Sequence, residues 1–510
     1  MRRASKGALW AVVLLAVSSR VGFAQVDYFG QNKIQYRDFE WRVLKSPHVD
    51  LYYYPEADEL AHVASVYAEE SVNFLEQKFG HAPPARIPLI IYASHTDFEQ
   101  TNVLPFVPPE GLLGVTEFLK RRVTLPFTGN YADFRHTLRH ELVHAFQLSI
   151  LTETYERHPR QTHAALPLWW TEGLAEFWSA GEDGRDEMIL RDLTIAGRLP
   201  SLEDLNFIEG GVVYPLGGAI HKWLANRYGE WRIQLMYRDL WKYRSFDEAV
   251  LGIYGVTLAQ LNDEYLFAFR QKYFPAVAVR RPLDITSRRL AQLAIKPAAY
   301  QLPGDSTTRF LFLSPSTGYM SIYSAEVDRA GGHEVEVQGE RSAEFESFHS
   351  FSSRMDVRNG VAVFTSKYQE HDALFFWDLR RHRVVGRYQF PDLVSMLSPS
   401  WAPDGNSVVF SALTVSGFSD LYRLRLPDGT LDRLTHDRYE DLDPSVSPDG
   451  RAVVFTSDRT AFGPTGARNL FVLDLATGAI RYLTYGDWQD ETPRWATNGR
   501  IYFASDRDTV

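Results

Sequence analysis

The chain has no cysteine among its 510 residues. Disulfides, thiolate catalysis, Cys-ligated zinc and a lipid anchor on cysteine are therefore excluded, and any metal site has to be built from histidine and carboxylate. Positive charge is in deficit: 54 Lys and Arg stand against 64 Asp and Glu, a formal net charge of −10. Nothing electrostatic argues for nucleic acid as a partner. Apolar runs are short; none approaches the roughly 20 residues of a membrane helix, so no membrane span is expected. What is present is an ordinary globular mixture, 45% apolar and 23% charged. That excludes wholesale disorder, and the length suggests two or three domains, each able to bury a core.

The first residues do not read as fold. Arg2, Arg3 and Lys6 precede the apolar run Ala8 to Val17, and Gly22 and Ala24 stand at −3 and −1 of a cleavage point before Gln25. This is the pattern of a secretory signal peptide over residues 1–24, and it predicts an exported protein, periplasmic or extracellular. Residues 25–45 form an N-terminal segment ahead of the first domain.

Two textures follow. From 46 to 274 strands and long helices mix. HVDLYYYP (48–55), IPLIIYA (87–93), LLGVTEF (112–118) and RRVTLPF (121–127) read as strands. Glu59 to Phe79 reads as a helix stopped by Gly80, with Leu60, Val63, Val66, Tyr67, Val72 and Leu75 near helical spacing. From Asp133 to Phe274 helical periodicity dominates. A mixed sheet followed by helices is an α+β pattern. Residues 275–305 carry four prolines and read as a linker. From 306 to 510 helices vanish and short β runs recur, with Phe312, Phe364, Phe410, Phe455 and Phe503 at separations of 52, 46, 45 and 48 residues. PSWAPDGNSVVFSA (399–412), PSVSPDGRAVVFTSDR (444–459) and PRWATNGRIYFASDR (493–507) are versions of one phrase. Pro-Asp-Gly is tight-turn chemistry between two strands. A period in the forties with short strands is the mark of propeller blades.

These units resemble the WD-type repeats of periplasmic Tol-like β-propellers. About five blade starts are visible, and the chain stops where a further strand is due. The expected fold class is thus an α+β domain plus an all-β, incomplete propeller. The resemblance implies a module that binds a substrate or an envelope protein partner.

The sharpest local signal is His140-Glu141-Leu142-Val143-His144. On a helix, residues four apart share a face, so His140 and His144 are placed to grip one ion, with Glu141 beside them to reach a water. A second motif, LPLWWTEGLAEFW (166–178), puts Glu172 28 residues beyond His144 and Glu176 one turn later. Among so many aromatic neighbours these carboxylates need partners. The paired motifs resemble the gluzincin metallopeptidases, thermolysin-like and zinc-aminopeptidase-like enzymes. The resemblance implies one Zn²⁺ held by His140, His144 and Glu172, with Glu176 as the carboxylate that orients a zinc histidine. It implies a peptide or protein substrate, hydrolysed by water activated by the ion, with Glu141 as general base.

The family also carries a Tyr-x-x-Gly at the start of a later helix, matched by Tyr214-Pro-Leu-Gly217. Tyr214 is then either an oxyanion donor or a packed tyrosine. Nothing in spacing singles out His221. Gluzincins place a substrate-pairing edge strand before the motif helix, where RRVTLPF lies. Gly114-Val-Thr-Glu117-Phe partly matches the aminopeptidase strand whose glutamate binds a free amine. Glu117 is either that substrate-binding residue or a strand glutamate facing solvent; Arg121 or Arg122 is placed to compete with an amine for it, and endopeptidase activity is the expectation. The alternative for the whole chain is a non-catalytic envelope binding or scaffold protein that works through its propeller, its zinc domain a relic.

Overall fold

A computed structural model describes residues 38–104, 108, 111–118, 120–159, 164–179, 184–208, 211–277, 283–329, 332–369 and 371–507. The expected signal peptide and the last three residues of the chain lie outside these. The chain divides into two units: Lys33–Leu75, Pro83–Ala145 and Arg280–Val510 in one, Met1–Asn32, Glu76–Ala82 and Phe146–Val279 in the other.

The first of these units holds a five-stranded mixed sheet of β1 (Arg42–Lys45), β2 (Val49–Tyr53), β3 (Ile87–Tyr92), β4 (Val115–Thr116) and β5 (Val123–Pro126), in the order β1-β2-β3-β5-β4. β2, β3 and β5 run parallel and both outer strands are antiparallel. The edge position expected for 121–127 belongs to β4. β5 is flanked on both sides and all four of its residues are buried, so its backbone is already paired. Helix α1 (Asp58–Phe79) follows β2, and the short α2 (His95–Phe98) follows β3. The buried face of α1 is Ala61, Ala64, Ala68, Val72 and Leu75, at steps of three and four, as an amphipathic helix requires. Val66, counted in the apolar spacing, faces outward. Gly80 ends the helix at φ 62°, a left-handed position that glycine takes without strain.

The same unit holds the β repeats. Four sheets have four strands each: β6 to β9 (Ile295–Tyr300, Arg309–Ser314, Ser321–Glu326, His333–Val337), β10 to β13 (Asp356–Arg358, Val361–Tyr368, His371–Asp378, Arg383–Tyr388), β14 to β17 (Leu393–Trp401, Ser407–Thr414, Ser419–Arg425, Leu431–Arg433) and β18 to β21 (Asp441–Val446, Ala452–Ser457, Asn469–Asp474, Ile480–Tyr482). A two-stranded sheet of β22 (Asp490–Trp495) and β23 (Ile501–Ser505) follows. Each four-stranded sheet is a meander in chain order, as propeller blades are. β6 falls inside the stretch expected as linker. Its Pro297 sits at a register shift, where no ladder donor is needed, and its Ala298 and Tyr300 are buried.

The repeated phrase has a physical content in each blade. The five spaced phenylalanines all lie on the second strand of their sheet. Phe312, Phe364, Phe410 and Phe455 stand opposite Tyr323, Phe375, Tyr422 and Phe471 on the third strand. Such cross-strand aromatic pairs stabilise a sheet. The turns close as the Pro-Asp-Gly chemistry predicts: Gly405 and Gly450 donate to the carbonyls of Ala402 and Ser447, at φ 75° and 73°. The Ser-Asp-Arg ending supplies a clamp. Arg459 binds buried Asp441 and Arg507 binds buried Asp490, each at the head of its sheet's first strand. Arg354, itself buried, donates to the carbonyls of Asp443 and Pro444 in the fourth sheet and Pro493 in the fifth, at 2.8–2.9 Å.

The second unit is helical. It contains α4 (Leu168–Ser179), α5 (Gly184–Ile195), α6 (Val213–Tyr228), α7 (Trp231–Asp239), α8 (Phe246–Tyr254) and α9 (Leu258–Val277). Trp169, Trp170, Leu174, Leu216, Ile220 and Tyr237 are buried in it. Helix α3 (Tyr131–Arg157) precedes these, its residues divided between the two units. Among the described residues no helix is long and apolar enough to cross a membrane.

Candidate metal and catalytic site

The His-Glu-x-x-His motif lies on α3, as its spacing demands. Asn130 starts this helix. Its Oδ1 accepts from the amides of Ala132 and Asp133 at 2.8 and 2.9 Å, an N-cap, while its Nδ2 donates to Glu440 and Asp458 of the propeller at 3.1 and 3.3 Å. Arg468 joins Asp133 of the first turn to Glu440. Burial pushes the Glu440 carboxyl up, against the pull of Arg468. Lys367 similarly pairs with Glu99. The start of the motif helix is thus fixed to the repeats by side-chain bonds.

One turn apart, His140 and His144 bring their Nε2 atoms to 3.2 Å. Two nitrogens about 2.0–2.1 Å from one tetrahedral zinc ion lie about 3.3 Å apart, so the pair suits an ion; without one, the same distance serves an imidazole–imidazole hydrogen bond. Glu141 is buried beside them. Its Oε2 accepts from Thr116 Oγ1 on β4 at 2.6 Å, and Thr116 Oγ1 also lies 2.9 Å from the Glu141 carbonyl. A Cβ built on Gly114 would stand 2.8 Å from Glu141 Cγ and Oε1. Neither Thr116 nor Gly114 was expected to touch the motif. Glu117, the residue after Thr116, is held by Arg122 Nε at 2.7 Å across the β4–β5 hairpin. Its carboxylate therefore has the competing partner that the endopeptidase expectation requires.

In the helical unit, Glu172 and Glu176 lie on α4, both half-buried and one turn apart on one face. The residue before Glu172, Thr171, accepts through its carbonyl from Gln147 Nε2 at 3.0 Å. Glycines let α4 and α6 approach to backbone contact: a Cβ on Gly173 would lie 2.4 Å from Gly217 C, and one on Gly217 2.7 Å from Gly173 Cα. The Gly217 of the Tyr-x-x-Gly motif therefore serves helix packing. Gly218 abuts the Glu176 side chain. Tyr214 is on the first turn of α6, 38% exposed. His221 is fully buried, its Nδ1 on the Gly217 carbonyl at 2.9 Å and its ring 4.6 Å from that of Trp170. Burial lowers its pKa to about 4, so it stays neutral and structural.

Residues 364–508 match the TolB beta propeller domain. The match takes in the third and fourth four-stranded sheets and the two-stranded one, and the second four-stranded sheet from within β11 onward. No curated protein is matched by the sequence. Among solved structures, TolB from Acinetobacter baumannii is similar at 20% identity over 38% of this chain and 46% of that one, with a TM-score of 0.29. The β-propeller domain of the Trilobed protease from Pyrococcus furiosus is similar at 11% identity over 45% of this chain and 80% of its own, TM-score 0.29.

Proposed function

We propose that the chain is an exported zinc-dependent endopeptidase in which His140, His144 and Glu172 hold one ion and Glu141 is the general base. The observation that supports this reading is the His140–His144 pair, at a separation suited to zinc, with the buried Glu141 carboxylate fixed beside it. Two imidazoles and a carboxylate are a donor set common in catalytic zinc sites. Zinc, when bound, supplies Lewis acidity and lowers the pKa of water in its open position. Glu141 takes a proton from the attacking water and returns it to the leaving amine, a role worth about 10²- to 10⁴-fold. Glu176 orients a ligand histidine. Tyr214 donates to the oxyanion. The Glu117–Arg122 pair favours internal cleavage, because the carboxylate that would hold a free amine is already neutralised.

A second reading is favoured by the family match, which lies wholly in the propeller. In it the protein is an envelope binding or scaffold module, and the propeller docks a protein partner without catalysis. In the peptidase reading the same propeller presents the substrate.

Metal analysis and cleavage of an N-acetylated peptide separate the two. The wild type is expected to hold one zinc and cleave the peptide. Glu141→Gln is expected to keep the zinc and lose at least about 10²-fold in turnover. A zinc-loaded wild type that cleaves neither acetylated nor free-amine peptides would leave the binding reading in place.

A further inference from the structure

The edge strand β4 meets the motif helix at one side chain, Glu141, and does so twice. Thr116 Oγ1 is 2.6 Å from Glu141 Oε2 and 2.9 Å from its main-chain oxygen. A hydroxyl has one proton to give. The carboxylate is the stronger acceptor, and 2.6 Å is the length of a charge-assisted O–H···O⁻ bond. The main-chain oxygen is a helical carbonyl with its own ladder to serve. The proton of Thr116 therefore goes to Oε2. Threonine on a strand is stiff at χ1, so the donor is fixed by its own backbone.

Gly114 makes the second contact. Glu141 Cγ and Oε1 occupy the space that a Cβ at 114 would fill, at 2.8 Å each, with Cδ at 3.0 Å. Any side chain there would drive the carboxylate off its place. The Glu141 carboxyl group is thus met by β4 at both oxygens, by the Gly114 backbone at Oε1 and by the Thr116 hydroxyl at Oε2. Oε2 is committed, and among the described residues no hydrogen bond reaches Oε1.

We propose that Thr116 and Gly114 are the positioning residues of Glu141, dividing its two oxygens between them: Oε2 is anchored by Thr116, and Oε1 is the oxygen that exchanges the proton. This rests on the reading of Glu141 as general base. In the step concerned, an O–H bond of the attacking water breaks as one forms at Oε1. That proton then passes to the nitrogen of the leaving amine as the C–N bond breaks. Thr116 keeps its own proton throughout. Its hydroxyl stays on Oε2 whether Oε1 is ionised or protonated, so the carboxyl does not turn during the cycle. Thr116 and Gly114 touch neither substrate nor ion in this scheme.

The test uses the full chain with Thr116→Val, Thr116→Ser and Gly114→Ala, an N-acetylated peptide, and bound zinc measured alongside. Thr116→Val is expected to keep its zinc and hold KM within about twofold while kcat falls about 10- to 100-fold, the effect of a base misplaced by less than about 1 Å. Thr116→Ser, which keeps the hydroxyl, is expected to recover kcat to within about fivefold. Gly114→Ala is expected to lose kcat at least as far as Thr116→Val. A readout without turnover is the melting temperature of the zinc-free protein: Thr116→Val lowers it more when Glu141 is present than in a Glu141→Ala background, where the hydroxyl keeps only the main-chain oxygen at 141. An active wild type whose Thr116→Val variant retains full kcat overturns the proposal, as does a Thr116→Ser variant no better than Val. Melting shifts that are the same in both backgrounds overturn the anchor itself. A zinc-loaded wild type without hydrolysis sinks the reading of Glu141 as a base, and the melting experiment then stands apart as a test of the contact alone.

Discussion

The approach of α4 to α6 gives a prediction with its own control. Gly217 and Gly218 are neighbours on one helix, and alanine at either gains the same helix propensity, about 1 kcal/mol over glycine. Their surroundings differ. A Cβ at 217 would lie 2.7 Å from Gly173 Cα and from the Trp169 carbonyl oxygen, both main-chain atoms of α4. A Cβ at 218 would lie 3.1 Å from Glu176 Cγ, part of a flexible side chain. Carbon atoms pack best at about 3.5–4.0 Å. Gly217→Ala therefore forces two buried helices about 1 Å apart, whereas Gly218→Ala asks one side chain to give a few tenths of an ångström. Overpacking of the first kind costs about 1–3 kcal/mol. The propensity gain cancels in the comparison, so the steric difference is read directly. At about 2–4 °C per kcal/mol for a unit of this size, Gly217→Ala is expected to melt about 2–12 °C below Gly218→Ala in differential scanning calorimetry. The same displacement moves the helix that carries Tyr214 against the one that carries Glu172, and a shift of about 1 Å at a catalytic centre costs about 10²-fold. If Gly217→Ala melts with or above Gly218→Ala, the close approach is not what the glycines are for.

Two further outcomes follow from the same geometry. Glu172→Ala is expected to abolish tight zinc binding, while Glu176→Ala weakens it about 10- to 100-fold; metal titration of both variants checks this, and the reverse order would exchange their roles. Asn130→Ala removes a helix cap worth about 1 kcal/mol and also the donor to the buried carboxylate of Glu440 and the half-buried one of Asp458, about 1–3 kcal/mol more. Asn130→Asp is expected to be no better by thermal melting, although aspartate caps as well as asparagine, because it would face two carboxylates.

The repeats were the part of the fold most open to reading from sequence. Their aromatic spacing, Pro-Asp-Gly turns and Ser-Asp-Arg endings are local chemistry copied from blade to blade. All five phenylalanines accordingly fall on equivalent strands. The first blade was partly concealed. Its opening strand carries Pro297 at a bulge, and proline count alone reads as linker. Arg354 gave no local sign either: its three carbonyl partners lie 89 to 139 residues away.

At the candidate site, legibility followed sequence separation. His140 and His144 were readable because one helical turn fixes their relation, and Glu172 and Glu176 for the same reason. Which strand lies at the sheet edge was not, since the order β3-β5-β4 depends on pairing that periodicity does not encode. The Gly-Val-Thr-Glu stretch drew attention to Glu117, through its resemblance to an amine-binding strand. The side chain that reaches the motif is its neighbour Thr116, 25 residues before Glu141. On a strand, adjacent residues face opposite ways. If Thr116 is turned to the helix, Glu117 must turn away, and there it meets Arg122. The same alternation that brings the Thr116 hydroxyl to Glu141 thus turns the neighbouring Glu117 carboxylate away from it. The Thr116 contact with Glu141 and the Glu117 pair with Arg122 are therefore one structural fact rather than two.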